Sequence, residues 1–281
     1  MNVEDAAMAT EETAEPGGSA IFWQDPLLEF LSGPHIYLWR QKPVRVSSTG
    51  IVDKHFEKFN GMATVEKYYN GWKKNKNSKY GAMIRYLLQV QGKTEDFAKE
   101  AICALWESDG AASAALGTRM HEQIERSCLG RDVPMDETMP ELTQFRAWFP
   151  LFLRTGNWQI FCPEKMMVKL EPETETPLWA GSADLILRSS EDPKKYAVID
   201  WKRVDPKGSS VIIGKETPTP FTDGFGAPPF QDVPNTKTGK YTVQLNIYAH
   251  TLFEDYGIDT RDNMYIVQIH ETLRFPNVFK A

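Results

Sequence analysis

Tyr196-Ala-Val-Ile-Asp-Trp-Lys202 is the stretch that most restricts what this chain can become. Tyr196 to Ile199 is an apolar run rich in strand-forming residues. A strand alternates its side chains between two faces. Asp200 and Lys202 therefore leave the strand end on one face, while Ile199 and Trp201 leave on the other. An acid and a base so placed also arise as a plain surface charge pattern, and a D-x-K standing alone carries that ordinary meaning. Here it does not stand alone.

Upstream lies Trp179-Ala-Gly-Ser-Ala-Asp-Leu-Ile-Leu187, in which Gly181 permits a close backbone approach or a bulge. Asp184 opens a short apolar run, and the polar stretch Arg188 to Lys195 reads as the loop of a hairpin. Strand, turn and strand bring Asp184 beside Asp200 and Lys202. Two carboxylates held close repel each other, and a hard divalent cation with oxygen ligands relieves the repulsion.

Three flanking segments carry further polar residues. Gly117-Thr-Arg-Met-His-Glu-Gln-Ile-Glu125 reads as a helix, with Met120 and Ile124 as apolar partners and His121 and Glu125 on a shared face. Glu164 opens the strand candidate Lys165 to Leu170. Tyr241 to Leu252 reads as an amphipathic helix on which Gln244 and Tyr248 stand one turn apart. Each has an ordinary structural reading: a surface histidine, an exposed strand-start acid, a polar pair on a helix.

Taken in order, G-T-x-x-H, a Glu at a strand start, G-S-A-D, D-W-K and Q-x-x-x-Y resemble the PD-(D/E)XK nuclease superfamily. The nearest likeness is its RecB-like branch, which includes phage-type and mitochondrial-genome-maintenance exonucleases. The resemblance spans roughly Gly117 to the C-terminus. It implies an α/β, restriction-endonuclease-like core, with a central mixed β-sheet flanked by helices. It further implies that His121, Glu164, Asp184, Asp200 and the Trp201 carbonyl serve a Mg²⁺ or Mn²⁺ ion. Lys202 would orient or activate the attacking water and offset transition-state charge, Gln244 would bond phosphate, water or lysine, and Tyr248 would pack nearby. One departure is a long Gly- and Pro-containing insert at 203–240, including Gly214, Pro218 and Pro220, readable as a lid or as a passive insertion.

The expected organisation is an acidic disordered tail over 1–20, a helical N-terminal region over 21–110, and the nuclease core over 111–281. The tail has neither the basic nor the apolar region of a secretory signal. No run reaches transmembrane length. The expected setting is intracellular, in nucleus or cytoplasm, with no membrane partner. Some RecB-like relatives use four cysteines for an iron–sulfur cluster. The chain has only the scattered Cys103, Cys128 and Cys162, so none is expected. Net charge is −6, yet Lys54 to Arg85 holds eight Lys or Arg against two Glu, with aromatics between them. Lys73, Lys74 and Lys76, with Trp72 and Tyr80, are candidate contacts to phosphates and unpaired bases. A solvated helical face over a small core explains the same pattern. The sequence points to DNA, single-stranded or with free ends, cut by an exonuclease. An endonuclease on DNA or RNA, or a non-catalytic nucleic-acid-binding module, stay open.

Overall fold

Helices begin where Ser, Thr or Asn precedes a helical run and its side chain accepts an early backbone N–H. In the computed structural model, which describes residues 24–131, 136–206 and 224–281, Ser47 caps α1 (Ser48–His55). Asn60 caps α2 (Gly61–Lys74) and Ser78 caps α3 (Lys79–Arg85). Thr94 opens α4 (Glu95–Cys128), a single helix of 34 residues. Pro140 stands in the first turn of α5 (Pro140–Thr155), where its missing N–H costs nothing. Thr236 caps α6 (Lys237–Tyr256), which ends at Gly257 in the left-handed conformation, φ 66°.

A small antiparallel sheet precedes these helices, with strands β1 (Leu28–Leu31), β2 (Ile36–Trp39) and β3 (Lys42–Pro43). The main sheet runs in the order β4 (Trp158–Leu170), β5 (Pro177–Ser189), β6 (Tyr196–Lys202), β7 (Met264–Gln268) and β8 (Asn277–Lys280). Among the described strand pairs of this sheet, β6–β7 is parallel, reached through α6, and the others are antiparallel. The structure is thus mixed α/β, with a five-stranded mixed sheet flanked by helices.

Residues of β6 alternate between two cores, as a strand buried on both faces must. Val198 joins Leu245, Ala249 and Leu252 of α6. Ala197, Ile199 and Trp201 face the opposite way, onto Met120 and Ile124 of α4 and Phe145 and Phe149 of α5. Trp201 is 1% exposed, with edge-on contacts to Phe145, Trp148 and Phe149. The predicted split, with Asp200 and Lys202 on one face and Ile199 and Trp201 on the other, is what the strand adopts. A third core joins α2, α3 and the first half of α4 through Val65, Tyr69, Ile84 and Ile102.

Several expectations need correction. The N-terminal region is not simply helical: β1 to β3 are there, too short and too exposed to show a clear alternation. These strands pack on β4 and β5 through Leu28, Tyr37, Trp39, Val168 and Ala180. The division at residue 110 falls inside α4, because an alanine-rich stretch carries the helix through Gly110. The strands read as separate at Trp158–Phe161 and Glu164–Leu170 form one strand with a register shift between Ile160 and Cys162. The insert ends where α6 begins at Lys237. Its described part docks on α1, with Ala227 donating to the His55 carbonyl at 2.6 Å and Phe230 stacked on Phe56. Gly214, Pro218, Pro220 and the acidic tail lie outside the described residues. No helix among the described residues is long and apolar enough to cross a membrane.

Candidate metal centre

Strand register brings the acids together. Pro163 pairs with Leu185 and Lys165 with Ala183, so Glu164 stands across from Asp184. Leu185 pairs with Ile199, and one step further along the same register Asp200 comes opposite Asp184. Glu164, Asp184 and Asp200 thus form a row across three adjacent strands. The row is built at a distorted point, since Glu164 has φ 45° inside a strand. A non-glycine residue adopts that conformation only where its surroundings hold it there. Gln24 supplies part of that hold: its Nε2 donates to the Glu164 carbonyl at 2.7 Å, and its Oε1 accepts from Met166 N at 3.0 Å.

Helix α4 delivers His121 to one end of the row, with Nδ1 3.5 Å from Asp184 Oδ2. His121, Glu164 and Asp184 each place a ligand-type atom within 4.8 Å of the others. The same Asp184 oxygen accepts the Trp201 backbone N–H at 2.7 Å. Ser182 Oγ donates to Glu164 Oε2 at 2.9 Å. Asp200, 2% exposed, lies outside that trio and is held by Lys202, whose Nζ is 2.8 Å from Oδ1 and 2.7 Å from Oδ2. Only the Oδ1 approach has hydrogen-bond geometry, which leaves Oδ2 buried without a hydrogen bond. Lys202 Nζ also sits 4.7 Å from the centre of the Tyr241 ring.

The electrostatics follow from burial and crowding. Burial, then the Asp184 charge opposite, push Glu164 to about 8. Burial lifts Asp200 to about 6 despite Lys202. Burial also opposes ionisation of Asp184, but His121, Lys202 and the Trp201 N–H prevail and hold it below the usual carboxylate range. Burial disfavours the His121 cation, yet Asp184 raises its pKa above the ordinary value. For Lys202, burial is outweighed by Asp200 and Asp184, so the ammonium stays charged. Three carboxylates with one imidazole make an oxygen-rich donor set that would suit Mg²⁺ or Mn²⁺.

Helix α6 lies against the row. Gln244 Nε2 donates to the Tyr248 hydroxyl at 2.8 Å, and the same hydroxyl shares a hydrogen bond with Ser48 Oγ, 2.8 Å away at the start of α1. Gly181 makes that approach possible, because a Cβ there would stand 2.6 Å from Ser48 Oγ and 3.1 Å from the Tyr248 ring. The tight approach expected at Gly181 is therefore real, and its partner is an N-terminal serine.

The structure thus gathers His121, Glu164, Asp184, Asp200, Lys202, Gln244 and Tyr248 in one place. The Trp201 side chain faces away, so any part it has in metal binding falls to its backbone. The basic segment is elsewhere. Lys73 pairs with Glu95 at 2.5 Å, and His121 lies 26 residues farther along α4, about 39 Å at 1.5 Å per residue. Trp72 and Tyr80 spend their rings on each other and on Trp106, whose Nε1 donates to Tyr80 at 2.8 Å; Lys74 and Lys76 are exposed. Gln24, Ser48, Ser182 and Tyr241 are site residues that sequence reasoning missed. Ser182 was legible, sharing strand parity with Asp184. Ser48 and Gln24 have no local signal, since only the fold brings them near. No protein-family model matches the chain, and no curated protein matches it.

Proposed function

We propose that this protein is a Mg²⁺- or Mn²⁺-dependent nuclease with a restriction-endonuclease-like core of the PD-(D/E)XK, RecB-like kind, hydrolysing DNA phosphodiesters. The observation that carries the reading is the row Glu164, Asp184 and Asp200, flanked by His121 and by a charged Lys202. Electrostatic complementarity to a developing anion is a large term in phosphoryl transfer. A bound divalent cation would polarise the phosphate and lower the pKa of a water. His121, Glu164 and Asp184 would hold it, with Asp200 as a further oxygen donor.

The remaining roles belong to the chain itself. Lys202 is protonated at neutral pH, so it acts by charge and by donating hydrogen bonds to water or phosphate, and not as a base. Asp200 fixes the Lys202 ammonium in place. Tyr248 accepts from the Gln244 amide nitrogen and so fixes that side chain beside the cleft. The exposed Lys74 and Lys76 would add sequence-independent phosphate contacts far from the cut. Action on single-stranded or frayed ends, as an exonuclease, is the favoured form.

The test is incubation of the full chain with 5′- and 3′-labelled single- and double-stranded DNA, with Mg²⁺, Mn²⁺ or EDTA, beside Lys202→Ala. Metal-dependent cleavage lost in the variant supports the reading, and the product ladder separates exo from endo action. Binding without cleavage in any metal would replace it with a non-catalytic nucleic-acid-binding module.

A further inference from the structure

We propose that the β1–β2 hairpin is a stacking wall for the terminal bases of a single DNA strand whose end lies at the metal centre. This inference rests on the nuclease reading above and adds the part of the substrate that reading leaves unassigned.

A cleft of ≈ 780 Å³ opens from Glu164 and Asp184 between two unlike walls. One is aromatic: Phe30, Tyr37 and His35. Phe30 and Tyr37 are directly opposed across β1 and β2, with ring centroids 4.7 Å apart and planes at 37°. His35 meets Phe30 edge-on at 5.0 Å. The three rings form a graded series. Tyr37 is innermost and buried, and its hydroxyl pKa is raised by burial, then by Tyr248, Glu164 and Asp184. Phe30 is half-buried, and His35 is exposed at the hairpin tip with φ 56°. The other wall is the small-residue face of α4 at Ala114, Gly117 and Thr118. A Cβ at Gly117 would meet nothing within 4 Å, so that side is open.

The chemistry of the aromatic wall selects its occupant. It carries no lysine or arginine, so it is not built to hold phosphates. Flat rings pack against flat apolar faces, and the bases of a strand leading to the scissile phosphate present such faces. In a duplex those faces are covered by neighbouring pairs, whereas an unpaired end exposes them. The cleft volume is that of a small-ligand site and suits a few nucleotides of one strand. Phosphate contacts then fall to the metal centre and to Arg131, the basic residue in the cleft lining, leaving the hairpin to grip the bases without sequence preference.

The test compares wild type with His35→Asn, Phe30→Leu and the double variant, all as full chains. Asparagine tolerates the left-handed backbone at position 35, and leucine keeps apolar packing at position 30, so both remove a ring and spare the fold. Three readouts are used. The first is binding of a single-stranded oligonucleotide, and in parallel of a blunt duplex, to each variant in a Lys202→Ala background with Mg²⁺. The second is quenching of 2-aminopurine at its terminal nucleotide. The third is Mn²⁺-dependent hydrolysis of bis(p-nitrophenyl) phosphate, which has no bases, with Lys202 intact.

Expected are a roughly 5- to 150-fold rise in Kd and lost quenching in the double variant, with bis(p-nitrophenyl) phosphate hydrolysis unchanged. Unchanged Kd and quenching, alongside intact hydrolysis in wild type, would overturn the stacking wall and leave the nuclease standing. An equal loss on blunt duplex would overturn the single-strand assignment. Absence of any metal-dependent hydrolysis in wild type would instead remove the nuclease reading, and the wall with it.

Discussion

The Trp201 backbone N–H donates to Asp184 Oδ2 at 2.7 Å, joining the end of a strand packed into one apolar core to the acid at the centre of the site. The Trp201 ring is wedged among Phe145, Trp148 and Phe149. The carboxylate is thereby fixed by a main-chain donor whose own position is set by packing on the far side of the sheet. Asp184→Asn keeps the shape and removes the charge. Cleavage is expected to fall by at least about 10²–10³-fold, and Mn²⁺ affinity measured by calorimetry should drop with it. Wild-type cleavage in this variant would remove Asp184 from the mechanism.

Gly181→Ala tests the approach of α1 to the site. The added Cβ would collide with Ser48 Oγ and crowd Tyr248, both buried. Overpacking of this kind costs about 1–3 kcal/mol, read as a lower urea midpoint at unchanged slope. Because Ser48 and Gln244 share the Tyr248 hydroxyl, cleavage should fall as well. Unaltered stability and turnover would mean that this contact is slack.

Glu141 and Arg203 form a buried pair at 2.7 Å, tying α5 to the residue that follows Lys202. Glu141→Ala strands the guanidinium, with Glu271 left at 3.8 Å as a poor substitute. The expected cost is about 3–5 kcal/mol, measured by denaturant unfolding. Glu141→Ala combined with Arg203→Met should recover much of it, and failure to recover would point to a role other than charge pairing.

Metal and pH should be linked with a definite sign. Glu164, Asp200 and His121 all have folded pKa values raised above their ordinary ones. Their contribution to stability is present at low pH and lost as pH rises through the folded values, about 6 for Asp200 and about 8 for Glu164. The metal-free protein is therefore expected to melt at a lower temperature at pH 8 than at pH 6. Added Mn²⁺, which displaces those protons, should raise the melting temperature more at pH 8. A metal-induced rise larger at pH 6 would contradict the assigned ligands.

The strand Tyr196–Lys202, the hairpin before it and the helix carrying Gln244 and Tyr248 could be read from the chain because their signals are local. Period two sets the faces of Asp200 and Trp201, and one helical turn brings Gln244 to Tyr248. The sequence by itself therefore determined the acids, the lysine and their side of the sheet. Only the tertiary structure decided what completes them. Ser48 reaches Tyr248 across 200 residues of chain, and Gln24 reaches Glu164 across 140. The left-handed turn at Glu164 depends on such distant contacts. The lysines near residue 74 lie far from the site because α4 is one unbroken helix. The aromatic wall at Phe30 and His35 was invisible for the same reason: strands of four residues show little periodicity, and their place beside the carboxylates comes from packing on β4 and β5.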